Sequence, residues 1–339
     1  MSSDETEVPA GMPLDPNDEQ ALSGKTDKVE QIYVSALEQF PSSAPLLGAY
    51  AAFLTKTRKD HNRAEKFYRR ALEADPRHAV SLGNYAVFLS RVRKDYDWAE
   101  EFFRRAVEAN PKLATNLGNY AVFLDDIRKD YDRAEEFYRR AVNCNPRHPT
   151  SLGKYAVFLE DIRKNYDEAE AFYRRAIRAE PRHATNLGNY ARFLRNVRKH
   201  YGRAEEFYRR ALDADPTHTA NLGNYASFLA NIRKNYDRAE EFYRRAIEAG
   251  PANAANLGNY AVFLQTIRKD YDRAEEFYQR AIEANPRHAI SLRNYAVFLR
   301  NIRGDPDRAK EYHRRATGAD PMNAGHRDNQ TGSARAAGT

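Results

Sequence analysis

Prolines stand at Pro41, Pro76, Pro111, Pro146, Pro181, Pro216, Pro251, Pro286 and Pro321, a spacing of 35 residues kept without one insertion. A period between about 20 and 50 residues marks an array whose units cannot bury their apolar faces singly. The chain's 339 residues would otherwise suggest two domains. With each Pro as position 1, the third repeat reads PKLATNLGNYAVFLDDIRKDYDRAEEFYRRAVNCN, and the other repeats differ from it at a minority of positions.

Two apolar stripes lie inside this unit. Positions 7, 10, 11, 14 and 17 (Leu117, Tyr120, Ala121, Leu124, Ile127) keep the i, i+3, i+4, i+7 spacing of one helix face. Positions 21, 24, 27, 28, 31 and 32 (Tyr131, Ala134, Phe137, Tyr138, Ala141, Val142) define a second helix. Arg-Lys-Asp separates the two, and Asp132 with Glu135 fits a capping box opening the second. The next Pro ends that helix and begins another unit. Alanines at 11, 24 and 31 let helix axes approach, and Tyr and Phe fill the space between.

These residues resemble the tetratricopeptide repeat. The pattern Tyr131-x2-Ala134-x3-Tyr138-x2-Ala141-x4-Pro146 is similar to the family's second helix. Leu117-x2-Tyr120-Ala121-x2-Leu124 stands for its first, with substitutions. Family repeats are usually one residue shorter, which places the extra residue in the turn between helices. The resemblance implies an all-α, right-handed superhelical solenoid whose first helices line a concave groove. The expected layout is a disordered acidic arm over 1–26, a capping helix over 27–40, eight repeats over 41–320 and a disordered tail over 321–339.

Composition narrows the function classes. No run of about 18 apolar residues exists to cross a membrane, and the acidic N-terminus is unlike a secretory signal or transit peptide. A cytoplasmic, monomeric protein is expected. The lone Cys144 excludes an internal disulfide and any thiolate-based zinc cluster. His78, His148, His183, His218 and His288 share position 3, but stacked hairpins space them about 10 Å apart, too far for one metal. No nucleophile–base set or phosphate loop is present, so neither catalysis nor a cofactor is expected.

The groove implied by the resemblance carries the candidate contacts. Position 9 holds Asn84, Asn119, Lys154, Asn189, Asn224, Asn259 and Asn294. A primary amide both donates and accepts, so such a ladder can grip a peptide backbone whatever its side chains. Position 8 is Gly from Gly48 to Gly258 and Arg293 in the last repeat, where no helix follows; helix packing explains that exception. Arg192 at position 12 and the variable positions 15 and 16, including Asp125, Asp126, Glu160, Asp161 and Arg195, are the candidate specificity residues. Residues 27–320 carry a net charge of +11, which favours partners with acidic segments. The leading expectation is a non-enzymatic scaffold or adaptor holding an extended protein segment. The alternative is an RNA binder, because pentatricopeptide repeats share the 35-residue period and position 35 (Asp75, Asn110, Asn145) resembles a base-reading residue, or because the Arg-Lys pair at positions 18 and 19, from Arg58-Lys59 to Arg268-Lys269, forms a basic edge that tracks phosphates. Trp98, in place of Arg on an outward position, is a further contact candidate.

Overall fold

The computed structural model describes residues 16–319, with side chains from residue 26 onward. The arm before residue 16 and the tail from residue 320 lie outside the described residues. The described chain is helical throughout: α1 (Pro16–Gln39) is followed by eight helical hairpins, of which α2 (Ala44–Phe53) with α3 (His61–Ala74) is the first and α4 (Ala79–Phe88) with α5 (Tyr96–Ala109) the second. The eighth ends with the helix Pro306–Ala319. The fold class is thus the all-α helical-repeat one expected. The hairpins fall into two compact units, one running to Phe193 and the other beginning at Leu194.

In the unit ending at Phe193, α1 begins well before the expected boundary at residue 27, within the stretch expected to be disordered. Pro16 suits a first helical position, a signal the acidic composition masked. Its C-terminal half packs as a second helix would. Tyr33 stacks on Tyr50 with ring centroids 5.4 Å apart, and Glu30 accepts from Tyr50 Oη at 2.7 Å.

Rings then carry the core from hairpin to hairpin. The position 10 Tyr meets the position 27 Phe of its own hairpin, as Tyr120 meets Phe137 at 4.6 Å. It also stacks on the position 28 ring of the hairpin before, as on Phe103 at 5.5 Å. Position 13, outside the expected stripe, is buried at Phe88, Phe123, Phe158 and Phe193 because it faces that same preceding ring. Ile127, expected inside, is more than a third exposed. In the unit beginning at Leu194 the same ring contact joins Tyr208 to Tyr225 at 5.8 Å and Tyr243 to Tyr260 at 5.7 Å.

The extra residue does sit in the turn. Each first helix ends in a five-residue π-helical turn, such as Leu124–Arg128. The Leu124 carbonyl accepts from both Lys129 and Asp130 backbone N–H groups, one residue wider than an ordinary helix-ending loop. Lys129 closes the turn in the left-handed region at φ 58°, as do Lys59, Lys94, Lys164, Lys199, Lys234 and Lys269; in the last hairpin Gly304 takes the place at φ 68°. This wider turn moves the cap. Asp130, and not Asp132, is the N-cap residue, its carboxylate accepting from the Arg133 N–H at 3.2 Å. Asp132 instead accepts a 2.6 Å ion pair from Arg163 of the next hairpin.

Candidate binding groove

Buried polar residues set how closely the first helices approach. From the second repeat onward position 6 is Ser or Asn, and it is buried: Asn116 donates through Nδ2 to the Ala79 carbonyl at 2.8 Å, and Asn186 to the Pro149 carbonyl at 3.0 Å. Asn256 does the same to the Thr219 carbonyl at 2.9 Å. Each sits on the Gly of the preceding repeat, where a Cβ on Gly83, Gly153 or Gly223 would overlap the amide of Asn116, Asn186 or Asn256. This contact is why position 8 is Gly until Arg293. Sequence reasoning found the glycine and missed its partner; the Arg293 exception was the available signal.

The position 9 residues lie at the edge of this packing. Asn84, Asn119, Lys154, Asn189, Asn224 and Asn294 are half-buried and Asn259 is exposed. Among the described residues Asn84, Asn189, Asn224, Asn259 and Asn294 make no side-chain hydrogen bond to protein. Asn119 accepts a 3.4 Å bond from Lys154 Nζ. Burial, followed by the charge of Arg91, lowers the Lys154 ammonium pKa.

Position 15 proves to be committed largely inward. Tyr173 Oη donates to Glu160 at 2.6 Å, and Tyr278 Oη donates to Gln265 at 2.7 Å. Glu160 is only 4% exposed. Arg192, from the next first helix, turns onto it at 3.1 Å and onto Asp161 at 3.3 Å. Arg192 thus offsets one of the two negative charges at this point of the expected wall. Asp125 has no such arginine, since position 12 of the following repeat is Val157. Burial and then Asp126 push its carboxyl up to about 6. Asp126 is exposed, and in the other unit Arg195 is half-buried.

The side chains at positions 18, 35 and 3 serve joints, links and caps. Position 18 arginines clamp successive hairpins: Arg128 binds Glu100 and Asp97, each at 2.7 Å. Arg268 binds Glu240 and Asp237, again each at 2.7 Å. Position 35 closes the link to the next repeat, with Asp75 accepting from the Arg77 N–H at 2.9 Å and Asn110 from the Lys112 N–H at 3.1 Å. His78 and His148 cap first helices, each with Nδ1 2.8 Å from a Ser hydroxyl. No metal-holding cluster occurs among the described residues, and none of their helices is long and apolar enough to cross a membrane.

A repeated helix–turn–helix unit, ring-stacked and ion-clamped to its neighbours, defines a helical-repeat protein. Tetratricopeptide-repeat family models match residues 53–78, 161–219 and 200–254, a TmcB-type tetratricopeptide model matches 255–324, and a Sel1 repeat model matches 112–146. The chain belongs to the tetratricopeptide repeat family, whose fold generally serves as a protein-interaction scaffold and not as a catalyst. It is similar to the APC/C hetero-tetramer Cut9–Hcn1 at a TM-score of 0.61 and 15% identity, over 87% of this chain and 56% of that one. Human IFIT1, solved as a dimer with m7Gppp-AAAA, gives a TM-score of 0.60 at 16% identity, over 89% and 78%. Yeast Tom70 gives 0.56 at 15%, over 92% and 62%. At these identities the likeness is one of fold. Comparison with curated protein sequences gives no match.

Proposed function

We propose that this protein is a non-enzymatic adaptor that holds an extended protein segment along its first helices, with the position 9 amides pairing to the segment's backbone. The observation that carries this reading is the division of labour among the asparagines. Position 6 amides are buried and spent on the joint, whereas position 9 amides are half-buried or exposed and, Asn119 apart, make no side-chain hydrogen bond to protein among the described residues. An amide that packing does not use keeps both donor and acceptor for a ligand. Beside the ladder, Asp125 and Asp126 offer negative charge that no arginine offsets, so the segment bears a basic residue at that step even though the body as a whole favours acidic ones.

Base-by-base RNA reading has less support. Position 35, the residue that would read bases, already accepts a backbone N–H in the link between repeats. The position 18 arginines that would track phosphates are held by carboxylates.

The test is a triple variant within one unit, Asn224→Ala, Asn259→Ala and Asn294→Ala, assayed against a partner recovered by crosslinking with and without nuclease. Each lost bond costs about 0.5–1.5 kcal/mol net, so affinity should fall at least tenfold at about 1.4 kcal/mol per factor of ten. The melting temperature should hold, because Ala is the better helix former. Unchanged affinity in the folded variant sinks the ladder; recovery of partner only through nucleic acid sinks the protein-segment reading.

A further inference from the structure

We propose that the cleft between α3 and α5 is a second binding site, separate from the groove, that takes up an arginine side chain presented by a partner protein. The cleft has a volume of about 660 Å³. Its floor is Tyr85 and Leu89, and its walls include Glu65 and Leu72 on α3 and Trp98 and Phe102 on α5. Trp98 is 58% exposed, with its ring 6.1 Å from that of Phe102.

The neighbouring hairpins show what this place normally holds. Position 23 is Arg63 in the first hairpin and Arg133 in the third. Arg133 lies over the Tyr120 ring, donates to Tyr120 Oη, and pairs with Glu100 at 3.3 Å and with its own cap Asp130 at 3.4 Å. Arg63 makes the same set with Tyr50, Glu30 at 3.1 Å and Asp60 at 3.7 Å. In the second hairpin the corresponding acceptors are all present as Tyr85, Glu65 and Asp95, but position 23 is Trp98. Asp95 keeps its role as cap, accepting the Trp98 N–H at 3.3 Å, and among the described residues it has no ion pair. Arg69, Arg93 and Arg105 also line the cleft, and Arg69 is hydrogen-bonded to Tyr85 and Glu65; what the chain does not supply is the position 23 guanidinium between Tyr85, Glu65 and Asp95, where it places an indole face instead. That face suits both the aliphatic stem and the cation of an incoming arginine.

The pairing of Arg69 with Glu65 at 2.7 Å leaves room for a second guanidinium. Arg244 makes the same pair with Glu240 at 3.0 Å, and the position 23 Arg273 still reaches that carboxylate at 3.9 Å. At the Glu100 joint Arg104 instead turns to Glu101 at 3.9 Å and leaves Glu100 to Arg133. Arg93 stays on the other Glu65 oxygen at 2.7 Å, as Arg128 does on Glu100. A lysine meets the charge but not the forked geometry.

Trp98 is the sole tryptophan of the chain, so its emission reports the cleft directly. Titration of the whole protein with N-acetyl-argininamide at constant ionic strength should change that emission saturably. N-acetyl-citrullinamide, of nearly the same shape without the charge, should bind at least tenfold more weakly, and the lysine analogue should fall between. Asp95→Asn keeps a capping side chain, as Asn165 and Asn235 show in their hairpins, and should weaken arginine several-fold. Trp98→Arg supplies the guanidinium in cis and should abolish binding, read by saturation-transfer NMR on the ligand. The proposal is overturned by equal binding of citrulline, by no saturable response to arginine, or by undiminished binding to the Trp98→Arg variant.

Discussion

At the residue scale, the joint between first helices rests on a pair that neither partner can leave alone. Gly83 abuts Asn116, whose amide reaches the Ala79 carbonyl. Ala in place of helical Gly ordinarily gains up to about 1 kcal/mol. At Gly83 the added methyl must push the amide off its bond, and overpacking costs about 1–3 kcal/mol, so Gly83→Ala should lower the melting temperature. Gly202 has nothing within 4 Å of its added Cβ, and Gly202→Ala should raise stability by up to about 1 kcal/mol. Denaturant titration of both variants checks the contrast; equal signs would remove packing as the reason for position 8. The histidine caps give a pH signature. Burial, before the nearby Lys154 and His183, lowers the His148 pKa, and burial alone lowers that of His288. The unfolded chain then binds more protons than the folded one as pH falls below the unfolded value of about 6.5. Stability should drop through that range and level off below the folded pKa, a drop that His148→Asn with His288→Asn should reduce, Asn being a capping residue as Asn253 shows.

At the scale of the element, the wide turn is the costly part of each hairpin and the clamp is what spans two of them. A left-handed conformation costs a non-glycine residue about 1–2 kcal/mol, and seven lysines adopt it at φ between 55 and 60°. Lys129→Gly should therefore stabilise the protein by about 0.5–1 kcal/mol after the added freedom of the unfolded chain is counted, following the Gly304 precedent. Removing the clamp acts the other way. Arg128 is half-exposed, so Arg128→Ala should cost only about 1 kcal/mol, and less in high salt. The helices themselves were legible in the sequence because the 3.6-residue stripes repeat so uniformly. The cap was not, because Asp130 and Asp132 are both plausible two residues apart, and only the width of the turn assigns Asp130 to the helix and Asp132 to Arg163. The inward bonds of Glu160 and Gln265 at position 15 were not legible for a similar reason. Their side chains sit on the first-helix wall by register, yet Tyr173 and Tyr278 across the hairpin claim Glu160 and Gln265. Position 9 differs: apart from the Lys154–Asn119 pair, its side chains have no hydrogen-bond partner among the described residues.

At the scale of the whole molecule, stability should be a sum of hairpins and joints. Deleting residues 111–145 removes one period and joins two faces of the same type, so the shortened chain should fold, with a smaller denaturant m-value and a lower melting temperature. Loss of all helicity on that single deletion would contradict the additive account. The joints are also alike in kind: a ring stack at the centre, an arginine across the rim, and a Ser or Asn seated on glycine. Their likeness has a mechanical meaning. Stretched from its two ends, a chain whose parts were joined unequally would rupture first at one weak place and then collapse. Within each unit here, successive hairpins should instead come away at nearly equal forces, in a series of even steps, and re-dock in the same order when the load is released.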